Sequence, residues 1–141
     1  MSENSYTRVS EVMTPSPKVI DRLATVQEAI ELMRQDRISS LVIDRRHEGD
    51  EYGLVVVHDI AAKVIAPDLS PKRVNVYEIM SKPVLTVDCD MDIKYAIRLL
   101  ARFGISRGLV TEKGTLTGIV TMRDMVLRYS APKEDNSVPD P

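Results

Sequence analysis

Thr121, Arg123 and Asp124 place a hydroxyl, a guanidinium and a carboxylate side by side, directly after the apolar run Gly118-Ile119-Val120. Such a set can hold a polar ligand: the two carboxylate oxygens accept from a diol, the guanidinium pairs with a phosphate, and the hydroxyl serves either. The same spacing has an architectural use. Thr-x-x-Asp is a capping-box-like pattern, in which hydroxyl and carboxylate satisfy each other's orphan backbone N–H groups at a helix start. A weaker copy, Gly53-Leu54-Val55-Val56-Val57-His58-Asp59, separates the two uses. There Val56 removes the hydroxyl, so Asp59 lacks a reciprocal partner, yet the carboxylate is kept. A role for the aspartate beyond capping is therefore expected, with His58 offering no permanent charge in the arginine's place.

Other constellations carry less. Asp88, Asp90 and Asp92 have the spacing that opens a calcium loop, but Ile93 stands where the loop needs glycine and Leu99 where it needs a bidentate glutamate. A polar turn with Asp92 as a helix cap is expected instead. Cys89 is the sole cysteine, which excludes an intrachain disulfide, and its carboxylate neighbours disfavour the thiolate. His47 and His58 are the only histidines and form no metal set. Neither a Walker lysine nor Gly-x-Gly-x-x-Gly occurs, and no nucleophile is assembled with a base and an orienter. The sequence thus predicts no enzyme, no catalytic cofactor and no metal.

These residues need elements to position them, and the chain supplies the elements twice. Val9-Ser10-Glu11-Val12-Met13-Thr14 matches Val76-Tyr77-Glu78-Ile79-Met80-Ser81 at an offset of 67, which also carries Asp21 onto Asp88 and Ile38-Ser39 onto Ile105-Ser106. The offset falls to 65 at Gly53 and Gly118, so the first copy holds two extra residues, assigned to the polar stretch 45–52. Each copy reads as a short extended piece (18–20; 84–87), a helix, two strands and a second helix. The first helices carry apolar stripes at Val26, Ala29, Ile30 and Met33, behind a Thr25/Glu28 capping box, and at Ile93, Ala96, Ile97 and Leu100. Strands are expected at 41–44, 53–57, 109–111 and 115–121, the last two joined by a turn at Glu112-Lys113-Gly114. The second helices follow at about 59–65 and 124–129.

Two such β-α-β-β-α units, opening with Val-x-Glu-Val/Ile-Met-Thr/Ser and closing with Gly-Leu/Ile-Val-x-x-x-Asp, resemble a tandem pair of cystathionine-β-synthase (CBS) domains, the Bateman module. The resemblance implies a mixed α/β fold of two repeats about a pseudo-twofold axis. Its expected layout is a flexible leader (1–8), repeat 1 (9–66), a linker (67–75), repeat 2 (76–130) and a flexible tail (131–141). It further implies clefts for an adenosine-containing ligand such as AMP, ADP, ATP or S-adenosylmethionine. By the same resemblance Asp124 would accept the ribose hydroxyls, Thr121 would offer its hydroxyl, and Arg123 would face a phosphate. Pro83, Leu85, Thr86, Ile105 and Ser106 would flank the adenine. In the first repeat Asp59, His58, Lys18, Val19, Ile20, Ile38 and Ser39 take the matching places. Because Val56 and His58 depart from the motif, the second cleft is expected to bind more tightly.

Composition agrees with a binding module. The chain has 141 residues, 43% of them hydrophobic, enough for one or two small cores. Charged residues make up 28% with a net charge of −2, and the basic ones are spread through both halves, so no nucleic-acid footprint exists. Aromatics are 4% with no tryptophan, leaving few platforms for stacking bases. No apolar run reaches the roughly 18 residues of a membrane span, and no signal-peptide core is present, so a cytoplasmic protein is expected. The expected function is a sensor of an adenosine nucleotide that acts as a homodimer on an unidentified protein target. The alternative is a ligand-free dimerisation module or a regulatory subunit. Ile60, Val64, Met125 and Leu127 are the expected dimer contacts.

Overall fold

The computed structural model describes residues 6–82 and 84–130. Pro83, one of the expected adenine neighbours, lies outside the described residues, as does the expected tail 131–141. The described residues form two compact units, one within Pro17–Val84 and a second made of those up to Ser16 together with those from Leu85 to Ser130.

In the unit Pro17–Val84 a three-stranded sheet has the order β1 (Val19–Ile20), β2 (Ser40–Ile43), β3 (Gly53–Val56). β1 runs parallel to β2, and β2 antiparallel to β3. Helix α1 (Val26–Asp36) begins at the expected capping box: Thr25 Oγ1 accepts the Glu28 N–H at 3.1 Å, and Glu28 Oε1 accepts the Thr25 N–H at 2.8 Å. α2 (Val57–Ile60) continues into a wider π-type turn, Ala61–Ile65. Val26, Ala29 and Met33 bury the helical stripe against Leu41, Ile43, Val55, Ile60 and Val64. The aliphatic sheet supplies most of this burial, and a fully buried side chain of this kind contributes about 1.5–3 kcal/mol.

The other unit holds a four-stranded sheet in the order β4 (Thr14–Pro15), β7 (Thr115–Thr121), β6 (Arg107–Glu112), β5 (Thr86–Asp88). The β6–β7 hairpin turns on Lys113 and Gly114, both with positive φ (52° and 82°), which two-residue hairpin turns of this hand require. Helix α3 (Ile93–Arg102) starts at Asp92, whose Oδ1 accepts the Lys94 N–H at 3.2 Å, and α4 (Met122–Ser130) follows β7 without a break. Val9, Val87, Ile93, Ala96, Leu100, Val110, Val120 and Met125 form the core.

The compact units do not follow the sequence repeats. The segment Val9–Glu11, which opens the first copy, packs with the sheet of the second: the Val9 N–H donates to the Met91 carbonyl at 2.8 Å, and Thr14 pairs with Ile119. Its counterpart Val76–Glu78 packs with the first copy's core, where the Val76 N–H reaches the Ala24 carbonyl at 2.8 Å. The paired motifs now have a physical link. A Cβ on Gly118 would lie 2.5 Å from the Met13 sulfur, and one on Gly53 2.5 Å from the Met80 sulfur, so each Glu-x-Met segment seats its methionine on the glycine of the opposite motif. Thr7, within the expected leader, is buried, and its carbonyl accepts the Ile93 N–H at 2.9 Å.

Candidate functional site

In both units the loop before the sheet meets the start of the second helix. The Met122 N–H donates to the Ser106 carbonyl at 2.7 Å, and Thr121 sits opposite Arg107 across the β6–β7 ladder. The matching contact in the first repeat runs from the Val57 N–H to the Ser39 carbonyl at 3.0 Å, with Val56 opposite Ser40. The structure therefore joins Ser106 to the first residue of the helix that carries Arg123 and Asp124, and Ser39 to the first residue of the helix that carries His58 and Asp59. Ile105 is exposed beside Ser106, its N–H held by the Leu100 carbonyl at 3.0 Å, whereas Ile38 is half-buried against the first-repeat core. Leu85 and Thr86 stand two strands from the helix start, Thr86 opposite Leu109. The Leu109 N–H reaches the Leu85 carbonyl at 2.9 Å because Gly108 has no side chain to hold the strands apart; a Cβ there would lie 3.1 Å from that carbonyl oxygen. Val19 and Ile20 occupy the corresponding edge strand, and the Lys18 ammonium is 3.2 Å from Asp36.

The two aspartates differ more than their sequence contexts suggest. At Asp124 the cap is one-sided: Thr121 Oγ1 accepts the Asp124 backbone N–H at 3.0 Å, and the carboxylate makes no hydrogen bond or ion pair among the described residues. It is half-buried, with exposed Arg123 next to it in the chain. Asp59 is buried and fully engaged. Its Oδ2 accepts the Val56 N–H at 3.0 Å, and its Oδ1 lies 3.5 Å from the Lys63 ammonium. The sequence reading left Asp59 without a reciprocal partner because Val56 lacks a hydroxyl; the backbone N–H of Val56 needs no hydroxyl to donate. Lys63 was missed altogether, although its position four residues after Asp59, one helical turn on, was the available signal.

Two further clusters are polar without joining this site. Asp50 anchors the stretch that carries the two extra residues: Lys82 lies 2.8 Å from its Oδ2 and the Arg46 side chain 3.1 Å away. The Lys82 ammonium, followed by the Arg46 backbone and side chain, holds the Asp50 carboxyl well below the usual carboxylate range. On the turn before α3, donor atoms of Asp88, Cys89 and Asp90 lie within 4.8 Å of one another and could in principle hold a metal. Burial, then the charges of Asp90, Asp88 and Glu112, raise the Cys89 thiol, which opposes the thiolate that metal binding needs. No helix among the described residues is long and apolar enough to cross a membrane.

The expected dimer contacts need correction. Ile60, Val64 and Met125 are absorbed by the two cores, at 6%, 0% and 0% exposure, because their side chains pack into the apolar clusters beneath the helices. Leu127 is exposed, as are Val57, Ile65, Val126 and Tyr129.

The model of the CBS domain matches residues 9–66 and 76–131. An uncharacterised protein of Methanopyrus kandleri is 37% identical over 118 residues, 82% of this chain and 57% of that protein. The chain spans about half the length of the curated relatives it matches. The hexameric CBS-CP12 protein from bloom-forming cyanobacteria superimposes with a TM-score of 0.83 at 34% identity, over 97% of this chain and 78% of that one. A CBS domain pair solved in complex with 5′-methylthioadenosine and S-adenosyl-L-methionine shares the fold, with a TM-score of 0.75 at 23% identity over 89% of this chain and 97% of that one.

Proposed function

Because this chain belongs to the CBS-domain family and carries two copies of the domain, we propose that it is a sensor module for an adenosine-containing nucleotide, with Asp124 as the principal ribose acceptor. The observation that carries this reading is the half-buried Asp124 carboxylate at the start of α4, without a hydrogen-bond or ion-pair partner among the described residues, with Arg123 exposed beside it. Both carboxylate oxygens are available to a vicinal diol without breaking a contact among the described residues. Arg123 adds a permanent positive charge for a phosphate. Ser106, Ile105, Leu85 and Thr86 supply the backbone groups and apolar edge for the base. A domain pair of the same fold holds two adenosyl compounds, which supports the ligand class. Self-association as a homodimer belongs to the same proposal, with exposed Leu127 and its neighbours on α4 as the contact. The protein does no chemistry on its ligand in this reading, and its target is another protein.

Thermal unfolding with millimolar AMP, ATP or S-adenosylmethionine tests it. A ligand that binds only the native state raises its stability by mass action, about 2.7 kcal/mol at a concentration one hundred times Kd. A rise with at least one of the three, removed by Asp124→Ala, is expected. No rise with any of them would favour the ligand-free dimerisation module.

A further inference from the structure

We infer that Lys63 decides which of the two equivalent aspartates is open to ligand, and that by holding Asp59 it restricts the chain to one nucleotide, bound at Asp124; this rests on the nucleotide-binding reading above. The register that places Gly53 on Gly118 places Lys63 on Arg128. Both cations tie the second helix to the Glu-x-Met segment packed beside it, but they find different partners there. The Arg128 guanidinium reaches Glu11 twice, Nη2 to Oε1 at 3.2 Å and Nη1 to the carbonyl at 3.4 Å. The Lys63 ammonium donates to the Ile79 carbonyl at 3.1 Å and lies 3.5 Å from Asp59 Oδ1. Glu78, the counterpart of Glu11, accepts the Asn75 N–H at 2.9 Å and pairs with no cation among the described residues.

The divergence follows from the shapes of the two cations. A guanidinium is a planar fork that can address a carbonyl and a carboxylate on one residue together, whereas an ammonium is a compact point charge on a flexible stem. Lys63 takes a carbonyl one residue beyond Glu78 and turns its remaining charge on the carboxylate one helical turn back. Asp59 is then engaged at both oxygens, by the Val56 N–H and by the charge of Lys63, and is 8% exposed. A ribose diol would have to displace the ammonium to gain both oxygens. In the other unit Arg128 is occupied by Glu11, and Asp124 is left open. Lys63 is in this sense a positioning residue, acting on ligand through Asp59.

Isothermal titration of the full chain with AMP tests this, comparing wild type, Lys63→Met and Lys63→Arg, each with and without Asp124→Ala. The wild type should take one AMP per chain and lose it in Asp124→Ala. Removing the charge in Lys63→Met, or copying the other repeat in Lys63→Arg, should release Asp59 and add a second AMP per chain. That second site should survive Asp124→Ala and vanish when Asp59→Ala is added. A purely structural role for Lys63 would lower stability without raising stoichiometry. The inference is overturned if the wild type binds two AMP and loses one in Asp59→Ala, or if both Lys63 variants stay at one. A wild type that binds no AMP overturns the proposed function, and this inference with it.

Discussion

The hydroxyl of Thr121 accepts the backbone N–H of Asp124 at 3.0 Å, and the Asp124 carboxylate makes no return bond among the described residues. The helix start is thus held by the threonine hydroxyl at Asp124 and by the Ser106 carbonyl at Met122. Thr121→Ala should cost about 0.5–2 kcal/mol of stability in the absence of any ligand, the usual loss for a threonine cap. Thr121→Ser should restore most of it, since serine keeps the oxygen. Chemical denaturation of the three chains checks this, and an unchanged Thr121→Ala midpoint would mean that the bond contributes nothing to folding.

Asp124 and Asp59 should respond oppositely to removal. With no partner for the carboxylate among the described residues, Asp124→Ala should stay within about ±0.5 kcal/mol of wild type, yet abolish the stabilisation by AMP. Asp59→Ala leaves the part-buried Val56 N–H without its acceptor and takes one of two partners from the exposed Lys63 ammonium, so a loss of about 1–3 kcal/mol is expected, with the AMP effect retained. Thermal melts with and without AMP read both quantities from one set of samples.

Gly118→Ala places a methyl group 2.5 Å from the Met13 sulfur and 2.9 Å from the Thr14 carbonyl oxygen. The methionine could move, but the backbone of β4 is paired to β7 at that point. Overpacking of this kind costs about 1–3 kcal/mol. Gly49→Ala, whose new Cβ would meet nothing closer than 3.6 Å, is the matched control and should be nearly silent. Equal melting temperatures for the two variants would contradict the contact.

The depressed Asp50 carboxyl makes a pH-dependent contribution. Its folded value lies below the unfolded reference of about 3.9, so the stabilisation is fully present above that reference and fades as pH falls toward the folded value. Asp50→Asn should therefore be less stable than wild type at pH 7, with the deficit shrinking below about pH 4. Melts from pH 7 to pH 2.5 follow it; a deficit that grows on acidification would reverse the assignment to Lys82 and Arg46.

Leu127 is 52% exposed on α4, between Val126 at 51% and Tyr129 at 63%. If this surface joins two copies, light scattering at tens of micromolar should give a dimer mass, and Leu127→Glu should reduce it to that of a monomer. A monomer mass for the wild type would remove the dimer from the proposal.

The sequence by itself determined the repeat, the order of elements and the placement of the helix starts. Those features are local: stripe periodicity, the Thr25/Glu28 capping box, the Asp92 cap and the Lys113-Gly114 turn are each set by residues a few positions apart. It also identified Thr121 and Asp124 as neighbours, because three residues span one turn at a helix entrance. Only the tertiary structure decided which segment packs with which sheet, since nothing in Val9–Glu11 or Val76–Glu78 states whose glycine its methionine will cover. The tertiary fold likewise buried Ile60, Val64 and Met125, where helical spacing alone left them as candidates for the outer face. It decided the state of the two aspartates as well. Lys63 and Arg128 share a position in the repeat, but whether each cation meets Asp59 or Glu11 depends on a chain segment brought in from elsewhere and on the reach of an ammonium against that of a guanidinium.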